Sequence, residues 1–132
     1  MRWQFWVAAL CYCVLLVWLS TRPIDLPDFT KFEHRDKVTH AVAYGGLAAV
    51  LAVGGRRGKK AWARHWALWF PLAFVFAFGS GVELVQLMLV YRKAEGLDIV
   101  ANMAGAVLAV LLVARYVPPA TPNPEPANPE PA

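Results

Sequence analysis

Nine residues of this sequence carry side chains that could do chemistry together, and they fall into three short runs. Asp36, Lys37, His40 and Tyr44 form the first, Glu83 and Gln86 the second, and Arg92, Asp98 and Asn102 the third. The carboxyl groups of Glu83 and Asp98 and the imidazole of His40 are candidate general acids and bases. Lys37 and Arg92 could hold an anionic group through charge-assisted hydrogen bonds. Asp36, Tyr44, Gln86 and Asn102 complete a candidate ligand-binding set that would fix the orientation of a bound group. Within the runs the intervals are three or four residues: Asp36, His40 and Tyr44; Lys37 and His40; Glu83 and Gln86; Asp98 and Asn102. Each of these groups therefore shares one face of a helix.

The elements that must position them are apolar. The chain has 132 residues, 58% hydrophobic and 17% charged, with two cysteines and a formal charge of +4. Soluble domains are about 45–50% apolar and about 25% charged, and so small a chain could not hide this much apolar surface in a water-soluble core. Four apolar segments stand out, over about 3–20, 38–55, 66–91 and 97–117. Each is long enough to cross a bilayer, which takes about 17–25 residues, and helices satisfy their own backbone in hydrocarbon. The expected fold is all-α, an integral membrane bundle of four transmembrane helices in residues 1–117. Residues 118–132 hold seven prolines and a tandem Asn-Pro-Glu-Pro-Ala repeat and are expected to be a disordered Pro-rich tail. The first segment reads as a retained helix, because Trp18 stands where a cleavable leader would need a small residue. Cys11 and Cys13, inside that segment, read as inert packing residues.

Loop charge sets the expected orientation. Residues 54–65 carry Arg56, Arg57, Lys59, Lys60 and Arg64 and no acid, which places this loop in the cytoplasm. The loop over 21–37 has four basic and four acidic residues, and the link after Tyr91 is also neutral. Both neutral loops then lie outside and both termini are cytoplasmic. Trp3, Trp6, Trp62, Trp66, Trp69 and Tyr116 would mark the inner interface, and Trp18 and Tyr91 the outer one. This topology gathers the polar set toward the outer leaflet. Glu83 stands eight residues before Tyr91, about 12 Å of helix. A charge at such depth costs at least ~2.5 kcal/mol unless it is paired or neutral, and Lys37, His40 and Arg92 are the available partners. Gly45, Gly46, Gly79 and Gly105 accompany the polar residues and would let the second, third and fourth segments approach closely, with the first as a buttress.

The run Asp36-Lys37-x-x-His40-x-x-x-Tyr44 resembles the opening motif of the VanZ-like family of small membrane proteins. The run Glu83-x2-Gln86-x5-Arg92-x5-Asp98-x3-Asn102-x2-Gly105 resembles its second motif. The resemblance covers about Asp36 to Ala109. It departs from the family at Ala109, where a further glycine is common, and at Val90-Tyr91, where a proline-glycine turn is common. The family is named for a protein associated with low-level resistance to the glycopeptide teicoplanin. The resemblance implies the bacterial cytoplasmic (inner) membrane, and a role in the cell envelope or in antibiotic resistance.

Three functions stay open at the level of sequence. The first is binding of a membrane lipid or lipid-linked envelope precursor, with Lys37 and Arg92 on its head group. The second is an intramembrane acid–base enzyme acting on a lipid-linked substrate, with Glu83 or Asp98 as base, His40 as acid or base and Arg92 as anion stabiliser. The third is a structural or accessory membrane protein whose polar set holds helices together. No cofactor is expected, since there is no glycine-rich phosphate loop. No metal is expected either: one histidine and two carboxylates could bind a divalent ion, but no ligand pair of the His-Glu-x-x-His kind is present. His34 reads as a solvated loop residue. The basic loop needs only topology and anionic lipid to explain it, so no nucleic-acid partner is expected, and nothing in the sequence identifies a protein partner.

Overall fold

Long apolar runs free of interior proline fold here as uninterrupted helices. The computed structural model describes residues 3–21, 35–58, 61–89 and 96–121. Among them are α1 (Trp3–Thr21), α2 (Arg35–Arg56), α3 (Ala61–Trp66), α4 (Trp69–Leu87) and α5 (Gly96–Tyr116). All but α3 are long and apolar enough to cross a membrane. α2 has Asp36 in its first turn and Arg56 in its last, and α5 has Asp98 and Arg115 in the same places. Both arrangements complement the helix dipole.

The segment expected over 66–91 is different in structure. It divides at Ala67 and Leu68, and its long part ends at Leu87. Pro71 explains the division. A helix running through this point would need the Pro71 nitrogen to donate to the Ala67 carbonyl, and the proline ring would collide with that carbonyl. The chain instead closes a tight turn, with the Ala67 N–H on the Arg64 carbonyl at 3.4 Å, and Pro71 falls in the first turn of α4, where its missing N–H costs nothing. At the other end the N–H groups of Met88 and Leu89 bond the carbonyls of Val85 and Gln86, both at 3.0 Å, as the last turn tightens.

The four long helices alternate in direction. Gln86, near the end of α4, bonds Ser20 at the end of α1, and His40, near the start of α2, bonds Asn102 near the start of α5. At the opposite end, the Trp6 ring meets Phe70 edge-on at 6.1 Å, and Arg56 bonds the carbonyls of Val117 and Ala114 at 2.6 and 3.3 Å. The described part of the expected tail takes part as well. The Ala120 N–H bonds the Arg56 carbonyl at 2.9 Å, so the chain folds back on α2 after Pro118 rather than leaving the bundle there. The rest of the tail, 122–132, lies outside the described residues.

Close contact between α2 and α5 rests on glycine. A methyl group added at Gly105 would overlap the Ala41 backbone carbonyl, and one added at Gly45 would come within 2.9 Å of the Gly105 oxygen. The core beside this crossing is Tyr44, Leu47, Ala48, Leu51, Val75, Ala106 and Val110. The outer surface is apolar too. In α1 only Ala9 and Leu16 are buried, while Trp3, Leu10, Val14 and Trp18 are exposed. Val42, Phe76, Leu84, Leu108 and Leu111 are exposed on the other long helices. Exposed apolar surface on this scale belongs against lipid, and the chain is a multi-pass membrane protein.

Gly105→Ala is expected to destabilise the detergent-solubilised protein by about 1–3 kcal/mol, the usual cost of overpacking. Gly81→Ala is its control, because a methyl group there meets open space. Unfolding in a denaturing detergent, followed by circular dichroism, compares the two. Equal stabilities would show that the crossing tolerates a side chain.

Candidate functional site

One end of the bundle collects the polar side chains. The start of α2 supplies Asp36, Lys37, His40 and Tyr44, the end of α4 supplies Glu83 and Gln86, and the start of α5 supplies Asp98 and Asn102. Glu83, Gln86, Asp98 and Asn102 are 5%, 4%, 2% and 1% exposed, and Tyr44 is 1% exposed. Lys37 and His40 are half-buried and Asp36 is exposed. The set thus grades from a buried floor to an open rim. Arg92 and Tyr91, and with them the expected outer-interface link, lie outside the described residues, as do His34, Lys59 and Lys60.

Asp98 is the centre of the charged part. Its Oδ1 faces the Lys37 ammonium at 3.9 Å, and its Oδ2 faces His40 Nε2, also at 3.9 Å. His40 Nδ1 lies 3.1 Å from Asn102 Oδ1. An amide oxygen only accepts, so Nδ1 carries the hydrogen and donates it. That bond fixes the imidazole, and the ring stacks parallel to Tyr44 with centroids 6.0 Å apart. Tyr44 in turn meets Phe78 of α4 at 6.2 Å and lies within electrostatic reach of Glu83. Gly79 makes room here, since a methyl group on it would approach the Asn102 amide nitrogen at 2.9 Å and the Tyr44 ring at 3.4 Å. Among the described residues, neither the Tyr44 hydroxyl nor the Asn102 Nδ2 has a hydrogen-bond partner.

Of the cations expected beside Glu83, Lys37 and His40 lie against Asp98. Glu83 is also nearer the end of its helix than expected. α4 stops at Leu87, four residues on, or about 6 Å of helix. Gln86 reaches sideways, its Nε2 donating to the Ser20 carbonyl at 3.0 Å. Ser20 went unnoticed in the sequence because it contributes only backbone, which leaves no trace in residue type.

A cleft of about 190 Å³ opens on the set, lined by Leu16, Leu19, Asp36, His40, Tyr44 and Gln86 among others. α1 is therefore one wall of the cleft as well as a buttress. Asp36, His40 and Asp98 can each place one ligand atom within 4.8 Å of the other two, so these three are the residues that could hold a cation. At the opposite end, Trp6, Trp62, Trp66 and Phe70 line a wholly apolar pocket of about 230 Å³ with Leu51 and Gly55. The buried carboxyl groups among the described residues, Glu83 and Asp98, belong to the first end.

No protein-family model, no curated protein and no solved structure matches the chain.

A double-mutant cycle on His40→Ala and Asn102→Ala measures the bond between α2 and α5. Interhelical polar pairs in membranes average about 0.6 kcal/mol and reach about 1.7, and the coupling is expected in that range. A coupling of zero in unfolding titrations would mean that the two side chains do not meet.

Proposed function

We propose that the chain is a VanZ-like protein of the bacterial cytoplasmic (inner) membrane, with both termini cytoplasmic and its polar site open to the outer leaflet. The site binds the head group of an envelope lipid or lipid-linked precursor, in cell-envelope or glycopeptide-tolerance processes. One observation carries this reading. Four polar side chains, each at most 5% exposed, share one end of the bundle with the half-buried Lys37 and His40, and a cleft lined by Asp36, His40, Tyr44 and Gln86 opens at that end. Intramembrane ionisable groups that face a cavity are functional sites by default. An ammonium group at the rim suits a phosphate or carboxylate, which charge-assisted hydrogen bonds hold best. Arg92, in the sequence between α4 and α5, is the second cation this reading assigns to the head group. The apolar wall from Leu16 and Leu19 suits the first carbons of a lipid tail. Orientation rests on the basic loop at 54–65, which belongs to the opposite end of the bundle.

A second reading is supported by two bonds. Gln86 to Ser20 and His40 to Asn102 each join two helices, as an accessory protein held together by polar contacts would require. Native mass spectrometry separates the two readings. The full chain is extracted with its lipid in place, beside Lys37→Ala, Arg92→Ala and Glu83→Gln. An anionic lipid is expected on the wild type and is expected to be lost from Lys37→Ala and Arg92→Ala while both remain helical. Unchanged lipid on both folded variants would sink the binding reading and leave the polar set to helix packing.

A further inference from the structure

We propose that Asp36, His40 and Asp98 form a binding site for a divalent transition-metal ion of the zinc class. The residues do not read as a metal motif, because the third ligand comes from another helix sixty-odd residues away. The structure supplies what the spacing lacks. Asp36 and His40 stand four apart on α2 and so share a face, and the start of α5 brings Asp98 against that face. One ligand atom from each lies within 4.8 Å of the others.

The geometry around His40 is that of a metal ligand. Histidines that bind metal almost always donate their second ring N–H to a carbonyl, carboxylate or water, which fixes the tautomer. Here Nδ1 donates to Asn102 Oδ1. In the neutral ring that leaves the lone pair on Nε2, the atom that faces Asp98 Oδ2 at 3.9 Å. That distance is too long for a hydrogen bond. Two donors on one tetrahedral zinc, each about 2.0–2.2 Å from the ion, stand about 3.4 Å apart, so the pair needs to close by only about half an ångström to share an ion. Asp36 is exposed, so its side chain can turn to close the remaining distance. Lys37 faces the other oxygen of Asp98.

The surroundings point the same way. Asp36, His40 and Tyr44 line one cleft. The Tyr44 side chain, 1% exposed and stacked on the His40 ring, carries a hydroxyl with no hydrogen-bond partner among the described residues. Three protein ligands with an open position are the pattern of zinc sites that also bind a small molecule. One imidazole with two carboxylates selects zinc, manganese or iron over soft cuprous ion.

The test uses the metal alone on the full, untagged chain in detergent, stripped with a chelator. Zn²⁺ is titrated in competition with a chromophoric indicator, and Co²⁺ absorption reports the coordination. The expected result is one ion per chain at low-micromolar affinity or tighter. Asp36→Asn, at the exposed rim where the fold is not at stake, is expected to weaken binding by about tenfold or more, the scale seen even for outer-shell partners of metal ligands. A Cys11→Ser, Cys13→Ser double variant is expected to bind as the wild type does. Absence of saturable binding would overturn the site. Equal affinity in folded Asp36→Asn, or loss of binding with the thiols, would overturn it too. Lipid content plays no part in the readout, so failure here leaves the lipid-binding reading to its own experiment.

Discussion

Gly105 has no side chain, and the carbonyl of Ala41 occupies the space that one would fill. Helices with ordinary side chains between them stand about 8–10 Å apart. At this crossing the backbones themselves touch, and the consequences run along both helices. Ala41 is the residue after His40, and Gly105 lies one turn after Asn102. The close approach therefore sets the start of α2 beside the start of α5, where His40 reaches Asn102 at 3.1 Å and Asp98 at 3.9 Å. A spacer of one methyl group would hold these polar atoms apart. The site is thus a consequence of backbone packing one turn deeper in the bundle.

The other ends of the same two helices are held by a different device. Arg56 ends α2 and donates to the Val117 and Ala114 carbonyls at the end of α5, while its own carbonyl accepts from Ala120. The last carbonyls of a helix lack partners and carry partial negative charge, so a guanidinium satisfies both needs. Arg56 also belongs to the basic loop from which topology is read. The two roles are compatible, because a charge at the membrane interface is well placed to cap a helix that ends there. α2 and α5 are clamped by a cation at one end and by a polar network at the other, with glycine between.

Much of this architecture is legible in residue order. The four apolar stretches become the four long helices, and the i,i+3 and i,i+4 intervals place the polar residues on shared faces as expected. What was hidden depends on partners that residue type does not reveal. Pro71 marks an interruption, but the break falls four residues earlier, at the carbonyl its ring would strike. The end of α4 at Leu87 has no punctuating residue, since Met88, Leu89 and Val90 are as apolar as what precedes them. The Ser20 carbonyl is invisible in principle. Asp36, His40 and Asp98 each stand out by residue type, yet their convergence needs the α2–α5 crossing, which no spacing within one helix encodes.

The earlier end of α4 also changes the energetic argument for function. At a depth of about 12 Å Glu83 would bear a large part of the mid-membrane charging cost. At about 6 Å from the helix end, that cost falls if the membrane boundary follows the end of α4. Polar pairs worth about 0.6 kcal/mol each could then offset much of it, so energy alone separates a functional cluster from helix glue less sharply than depth implied. Geometry separates them better. Glue requires only that each polar atom find a partner on a neighbouring helix, as Gln86 finds Ser20. It does not require an imidazole held by one nitrogen with the other facing the Asp98 carboxylate, nor a cleft beside it. Those features place donor atoms around a space rather than against each other, and a space lined by donor atoms is what a ligand needs.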